Sequence, residues 1–255
     1  MDRRQLMKLA GVAAAATATA SAVARQRDEA GVAVASSAQA AMETLVPMFT
    51  RSSGHRLSLS FGASGNLVRQ IEQGLPVELF LSADEDFAAR LVETGWARDA
   101  GAVYASGRLA LVVARGTSIA LDARLQGLKA GWAGVRKLSI ANPVLAPYGK
   151  AAQQVLETCG LWEAAQPRLV LGENVAQAAQ FVATGSAQAG LTALSLVVGR
   201  SSPPWRGHVA VAGELHASLA QRMVLRRQAG AAATAFYDFL QTRAARAVLQ
   251  SHGFG

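Results

Sequence analysis

The stretch LSLSFGASGNLVRQIEQGLPVELFLSADED, residues 57–86, decides the fold. It opens on alternating apolar residues and tightens into a knot of small uncharged ones, Gly62 to Asn66. Helical spacing follows, and then a second apolar run. Period-two alternation reads as a strand and i, i+3, i+4 spacing as an amphipathic helix. The segment is therefore strand, tight junction, helix, strand, and repetition of that unit points to an α/β fold with mostly parallel sheets.

The pattern extends in both directions. Strands are expected at 31–35, 57–61, 77–83, 109–114, 137–141, 168–171, 189–193, 209–212 and 221–226. Helices are expected near 38–51, 66–73, 85–94, 149–158, 175–184, 231–242 and 243–252, with Pro47 kinking or shortening the first. Two places read as crossings between lobes: Gly107-Arg108, where an apolar strand starts after a glycine-rich turn, and the return near 214–222. The division implied is one lobe from 31–107 plus 220–255 and a second from 108–219. SSPPWRG, residues 201–207, reads as an exposed loop, and no internal repeat is apparent.

Composition narrows the class. The chain has 255 residues, 51% hydrophobic and 16% charged, enough to bury a substantial core. After the N-terminus, charge or glycine interrupts each apolar region well short of the ~20 residues a bilayer span needs, so no transmembrane helix is expected. Residues 1–24 carry Arg3, Arg4 and Lys8, then a weakly apolar Ala/Thr run and a small-x-small site at Ala22-Val23-Ala24. That reads as an export signal, twin-arginine-like, cut after Ala24. Its loss removes three basic side chains and one acidic, lowering the formal charge of +8 by two.

A basic surface suits an anionic partner, but the cations are scattered with no aromatic ladder between them, which argues against nucleic acid. The single cysteine, Cys159, cannot form an internal disulfide and is expected as a buried structural thiol. The histidines, His55, His208, His216 and His252, lack metal-ligand spacing, so no cation site is expected.

Four strand-to-helix junctions share one chemistry: Ser36-Ser37 before the first helix, Ser64-Gly65-Asn66, Pro147-Tyr148, and Asn174 before Val175. Each offers free backbone N–H groups at the positive end of a helix dipole, and in α/β sheets such loops gather at the carboxyl ends of the strands. None contains Lys or Arg. Hydroxyls and N–H groups donate without formal charge, which suits a fully ionised oxyanion that only accepts. The smallness of the junctions lets the backbone come close. A serine or asparagine before a helix is most often only a cap, so the four matter as a set only if they face one another.

These residues resemble a known family. Ser37 before the first helix, SFGASGNLVRQIEQGLP at 60–76 and ELFLSAD at 78–84 are similar to the periplasmic molybdate-binding proteins of ABC transporters. The likeness continues more loosely through LSIANPVLAPYGKAAQQVLETCGLW, GENVAQAAQFVATGSAQAGLTALS and AFYDFLQTRAARAVLQSHGFG. It implies a two-lobe type II periplasmic binding protein fold closing on molybdate or tungstate, a membrane permease as partner, a monomer in the periplasm, no catalysis and no cofactor. Carried over, the site falls on the Ser37 and Ser64 hydroxyls and the N–H groups of Ser37, Ser64, Tyr148 and Val175.

One departure stands out. Where the family has a tyrosine that donates to the oxyanion, GLTALSLV at 190–197 places Ala193, and Leu196 stands at an aspartate position. Losing a hydrogen bond to a charged oxygen costs about 1.5–3 kcal/mol unless Tyr148, Thr192 or a water replaces it. The departure keeps open a paralogue tuned to sulfate, another oxyanion or a small organic anion. A sensor without a transport role is a further alternative. A secreted hydrolase using Ser64 is another, although GASGN lacks the last glycine of the nucleophile elbow and no histidine has triad context.

Overall fold

The computed structural model describes residues 29–199 and 202–255, so the export signal expected at 1–24 lies outside the described residues. The chain runs β1 (Glu29–Ala35), a 3-10 turn (Ser36–Ala38), α1 (Gln39–Ser53), β2 (Arg56–Gly62), α2 (Ser64–Glu72), β3 (Leu79–Leu81), α3 (Asp86–Glu93) and β4 (Ala102–Gly107). One residue later β5 (Leu109–Ala114) begins, followed by α4 (Gln126–Ala130), β6 (Leu138–Ala141), α5 (Pro147–Thr158), α6 (Trp162–Ala165), β7 (Leu169–Gly172), α7 (Val175–Ala183), β8 (Ala189–Ala193) and β9 (Trp205–Ala210). β10 (Leu219–Leu225), α8 (Ala231–Leu240) and α9 (Arg243–Ser251) follow.

The strands form two five-stranded sheets, ordered β2-β1-β3-β10-β4 and β7-β6-β8-β5-β9. The expectation of mostly parallel sheets needs correction. β1 runs parallel to β2 and β3, and β6 parallel to β7 and β8, whereas β10 is antiparallel to β3 and β4, and β5 to β8 and β9. The antiparallel pairs all involve strands that enter from or lead to the other sheet. They arrive without a helical crossover on their own sheet, which is what parallel pairing requires. Only Arg108 separates β4 in the first sheet from β5 in the second.

Alternation within the strands sets the layers. In the first sheet Val32, Val34, Leu79 and Leu81 face one side, against Leu45, Phe49 and Phe236. Ala33 and Phe80 face the other, against Leu67, Ile71 and Leu91. Helices thus cover both faces and leave the carboxyl ends of β1, β2 and β3 to open on a cleft. In the second sheet β5, LALVVA, is buried at every position and centres the core.

Several local expectations change. Pro47 lies inside α1 without shortening it. Its ring is exposed, as is Glu43, whose carbonyl loses its N–H partner to the proline. The loop expected at 201–207 becomes strand from Trp205, which pairs with Ala114 and is buried. Cys159 is half-buried at the end of α5, its thiol 3.6 Å from the Arg124 carbonyl and pushed up in pKa by burial, rather than a core thiol.

Candidate functional site

The four junctions meet. Ser36, Ser37, Ser64 and Ala83 from the first lobe and Tyr148 and Val175 from the second line one narrow cleft, whose lining carries no charged side chain. Ser37 is 0% exposed, Ser64 1%, Tyr148 1% and Val175 3%.

How the helix ends are satisfied separates a cap from a donor set. Asn174 caps α7, its side chain accepting from Ala176 N at 3.0 Å and Gln177 N at 3.1 Å. The Val175 N–H, at the first helical position, lies ahead of both. At the other three junctions no side chain caps the helix or turn. α2 already starts at Ser64, and α5 has Pro147 at its first position with the Tyr148 N–H next, where no intrahelical carbonyl precedes it. The serines therefore do not spend their oxygens on their own helices.

The serine oxygens accept from elsewhere. Ala83 N donates to Ser64 Oγ at 3.0 Å. Gln221 Nε2 donates to Tyr148 Oη at 3.0 Å and to Ser37 Oγ at 3.4 Å, while Gln221 Oε1 accepts from Tyr104 Oη at 2.7 Å. Ser195 Oγ donates to the Ser37 carbonyl at 2.6 Å, joining the lobes. Burial pushes the Tyr148 and Tyr104 phenols well above their usual pKa, so both stay protonated.

The departure at Ala193 resolves in part. Ala193 is fully buried at the end of β8, and the neighbouring Thr192 Oγ1 donates to the Val175 carbonyl at 3.0 Å, so that hydroxyl is committed. Tyr148 places a phenol where the lobes join, surrounded by the Ser37, Gln221 and Ser195 side chains and the Arg108 backbone. Gln221, Tyr104 and Ser195 did not emerge from the sequence. The one available signal was a glutamine inside the mostly apolar strand LAQRMVL. Among the described residues no group of His, Cys, Asp and Glu could hold a metal ion.

With this geometry in place, comparison with known proteins is informative. The family model for bacterial extracellular solute-binding proteins matches residues 30–255. The chain belongs to that family. The molybdate-binding protein ModA of Azotobacter vinelandii is 37% identical over 233 residues, covering 90% of this chain and 91% of its own. That of Rhodobacter capsulatus is 35% identical over 226 residues, covering 87% and 86%. The solved periplasmic molybdate-binding protein of Azotobacter vinelandii superposes with a TM-score of 0.80 at 29% identity, covering 89% of this chain and 98% of that one.

In this solute-binding protein the lobes are drawn together around the cleft. Gly65 N donates to the Leu145 carbonyl at 2.9 Å across the cleft. A Cβ at Gly65 would lie 3.0 Å from that oxygen and 2.8 Å from the Phe87 ring, so glycine is what allows the approach. At the rim Lys150 Nζ and Asp86 Oδ2 pair at 3.6 Å.

Proposed function

We propose that this chain captures molybdate, and tungstate with it, in the periplasm and hands it to the permease of an ABC transporter, without catalysing a reaction and without a resident cofactor. One observation carries the reading. The buried cleft is lined by serine hydroxyls and helix N-termini from two lobes with no charged side chain, in a chain 37% identical to a molybdate-binding protein.

Binding follows from the donors. The Ser37 and Ser64 hydroxyls and their N–H groups come from the first lobe, residues 31–107 plus 220–255. The Tyr148 and Val175 N–H groups come from the second, residues 108–219. Each is dipolar, so the dianion is neutralised by oriented N–H and O–H groups in a dry site where such bonds are strong. An anion held by both lobes stabilises their closed arrangement. Molybdate and tungstate are alike in size and larger than sulfate, so cavity size and donor count set selectivity.

Isothermal titration of the protein with molybdate, tungstate and sulfate in turn tests the reading. Tight binding of the first two with sulfate silent is expected. Silence from molybdate and tungstate overturns it, and an answer from sulfate or another anion instead would identify the retuned paralogue that Ala193 suggests.

A further inference from the structure

We infer that Gln221, on the strand that returns to the first lobe, is a positioning residue for the anion: its side-chain amide fixes the Ser37 hydroxyl as a donor into the cleft. The inference rests on the oxyanion reading above and goes beyond it, since Gln221 does not line the cleft.

Gln221 is 0% exposed, a buried polar side chain in a strand whose only other polar residue, Arg222, is partly exposed and pairs with Glu85. A buried primary amide is costly unless its hydrogen bonds are made. Here both its ends are engaged. Tyr104 Oη lies 2.7 Å from Gln221 Oε1 and 3.4 Å from the Ser82 carbonyl, so its single hydrogen goes to the amide oxygen. That fixes which end of the amide faces the cleft. The two hydrogens on Nε2 are then directed at Tyr148 Oη and Ser37 Oγ.

A hydroxyl that accepts from a donor-only nitrogen must turn its own hydrogen elsewhere. Tyr148 Oη also lies within hydrogen-bond reach of Ser37, but it already accepts from Gln221 Nε2 and the Arg108 N–H, so it does not take the Ser37 hydrogen as well, and the remaining direction is the cleft, where the anion accepts. Ser64 reaches the same state by a separate route, through Ala83 N–H at 3.0 Å. The two serines are thus preset as donors by two independent protein donors, one backbone and one side chain. A site preset in this way points its hydroxyl hydrogens at the anion and need not reorganise when the dianion arrives.

The test is a pair of double-mutant cycles read by titration calorimetry with molybdate, alongside thermal unfolding of each variant. Gln221→Met should weaken binding by about tenfold and Ser37→Ala by about ten- to a hundredfold. If Gln221 acts through Ser37, the double variant binds no more weakly than Ser37→Ala alone, whereas Gln221→Met combined with Ser64→Ala multiplies the two losses. A glutamine that merely braced the fold would multiply with both. Should Gln221→Met not fold, Tyr104→Phe, which frees the amide to reverse, carries the same cycles with the same expectation. Wild-type affinity in Gln221→Met, or losses that multiply with Ser37→Ala, overturns the inference while leaving the molybdate reading intact. Absence of molybdate binding by the wild-type protein overturns that reading, and the inference falls with it.

Discussion

At Gly107 a single missing methyl group sets how closely the crossing strand approaches Tyr148 and Gln221. A Cβ there would collide with Tyr148 Oη and lie 2.9 Å from Gln221 Nε2, the two atoms joined by the bond that links the return strand to α5. Overpacking of this kind typically costs about 1–3 kcal/mol. Gly107→Ala should therefore lower the thermal midpoint by about 2–4 °C per kcal/mol lost and weaken molybdate binding. Adding Tyr148→Phe removes the oxygen that is struck, so the double variant should regain part of the lost stability. If it regains none, the clash is not with the phenol. The serines behave in the opposite sense. Ser37→Ala and Ser64→Ala remove a donor to a charged oxygen, worth about 1.5–3 kcal/mol each in binding. They should leave far-ultraviolet circular dichroism unchanged while calorimetry records affinity losses of about one to two decades.

Single elements carry their own tests. Pro47 sits in the interior of α1, where proline is about 3 kcal/mol worse than alanine, and its exposure means no packing is lost on removal. Pro47→Ala should stabilise the protein by about 1–2 kcal/mol after allowing for the greater freedom of the unfolded chain, measured by denaturant unfolding. Ahead of α4, Asp122 accepts from Arg124 N at 2.9 Å, Gln126 N at 3.0 Å and Gly127 N at 2.6 Å, and within that loop Leu125 holds φ +61°. Burial raises the Asp122 pKa, but the three N–H bonds outweigh it and hold the carboxyl below its ordinary value of 3.8. Its contribution is therefore fully present above that value and lost as pH falls through the lower folded one. Asp122→Asn should be less stable than wild type at pH 7, and the difference should shrink on acidification. A difference that does not change with pH would show that the charge is not what matters. These elements also show what the sequence could reveal. β5, LALVVA, was legible because every position is apolar, and the Ser64 junction because small residues interrupt two strong periodicities. β4, AVYASG, was not: set between Gly101 and Gly107-Arg108 it reads as a glycine-rich turn, and pairing with β10 rather than its own pattern makes it a strand. The serines were placed at helix starts, but whether they cap or donate depends on Ala83 and Gln221, remote in sequence and brought near only by the sheet.

For the whole molecule the question is what keeps the lobes closed. Direct bonds between the lobes include the Gly65 to Leu145, Ser195 to Ser37 and Gln221 to Tyr148 hydrogen bonds, with the Lys150 to Asp86 pair at the rim. The rim pair is more than half exposed on both partners, and such pairs are worth about 0–1 kcal/mol and are screened by salt. Lys150→Ala should accordingly change molybdate affinity by no more than about fivefold. A larger loss would make the rim rather than the buried donors the latch. These hydrogen bonds contribute only about 1 kcal/mol each. An anion that accepts from both lobes at once adds charge-assisted bonds made only when they are closed, so it shifts the population toward the compact form. Small-angle X-ray scattering should therefore show a smaller radius of gyration on adding molybdate, saturating with the same affinity that calorimetry reports. At a ligand concentration about a thousandfold above Kd the protein should also gain about 4 kcal/mol of stability. Ser37→Ala with Ser64→Ala should abolish the contraction at concentrations that saturate the wild type, because closure is driven by the anion those hydroxyls hold. A contraction that persists without binding would mean that the lobes close by themselves.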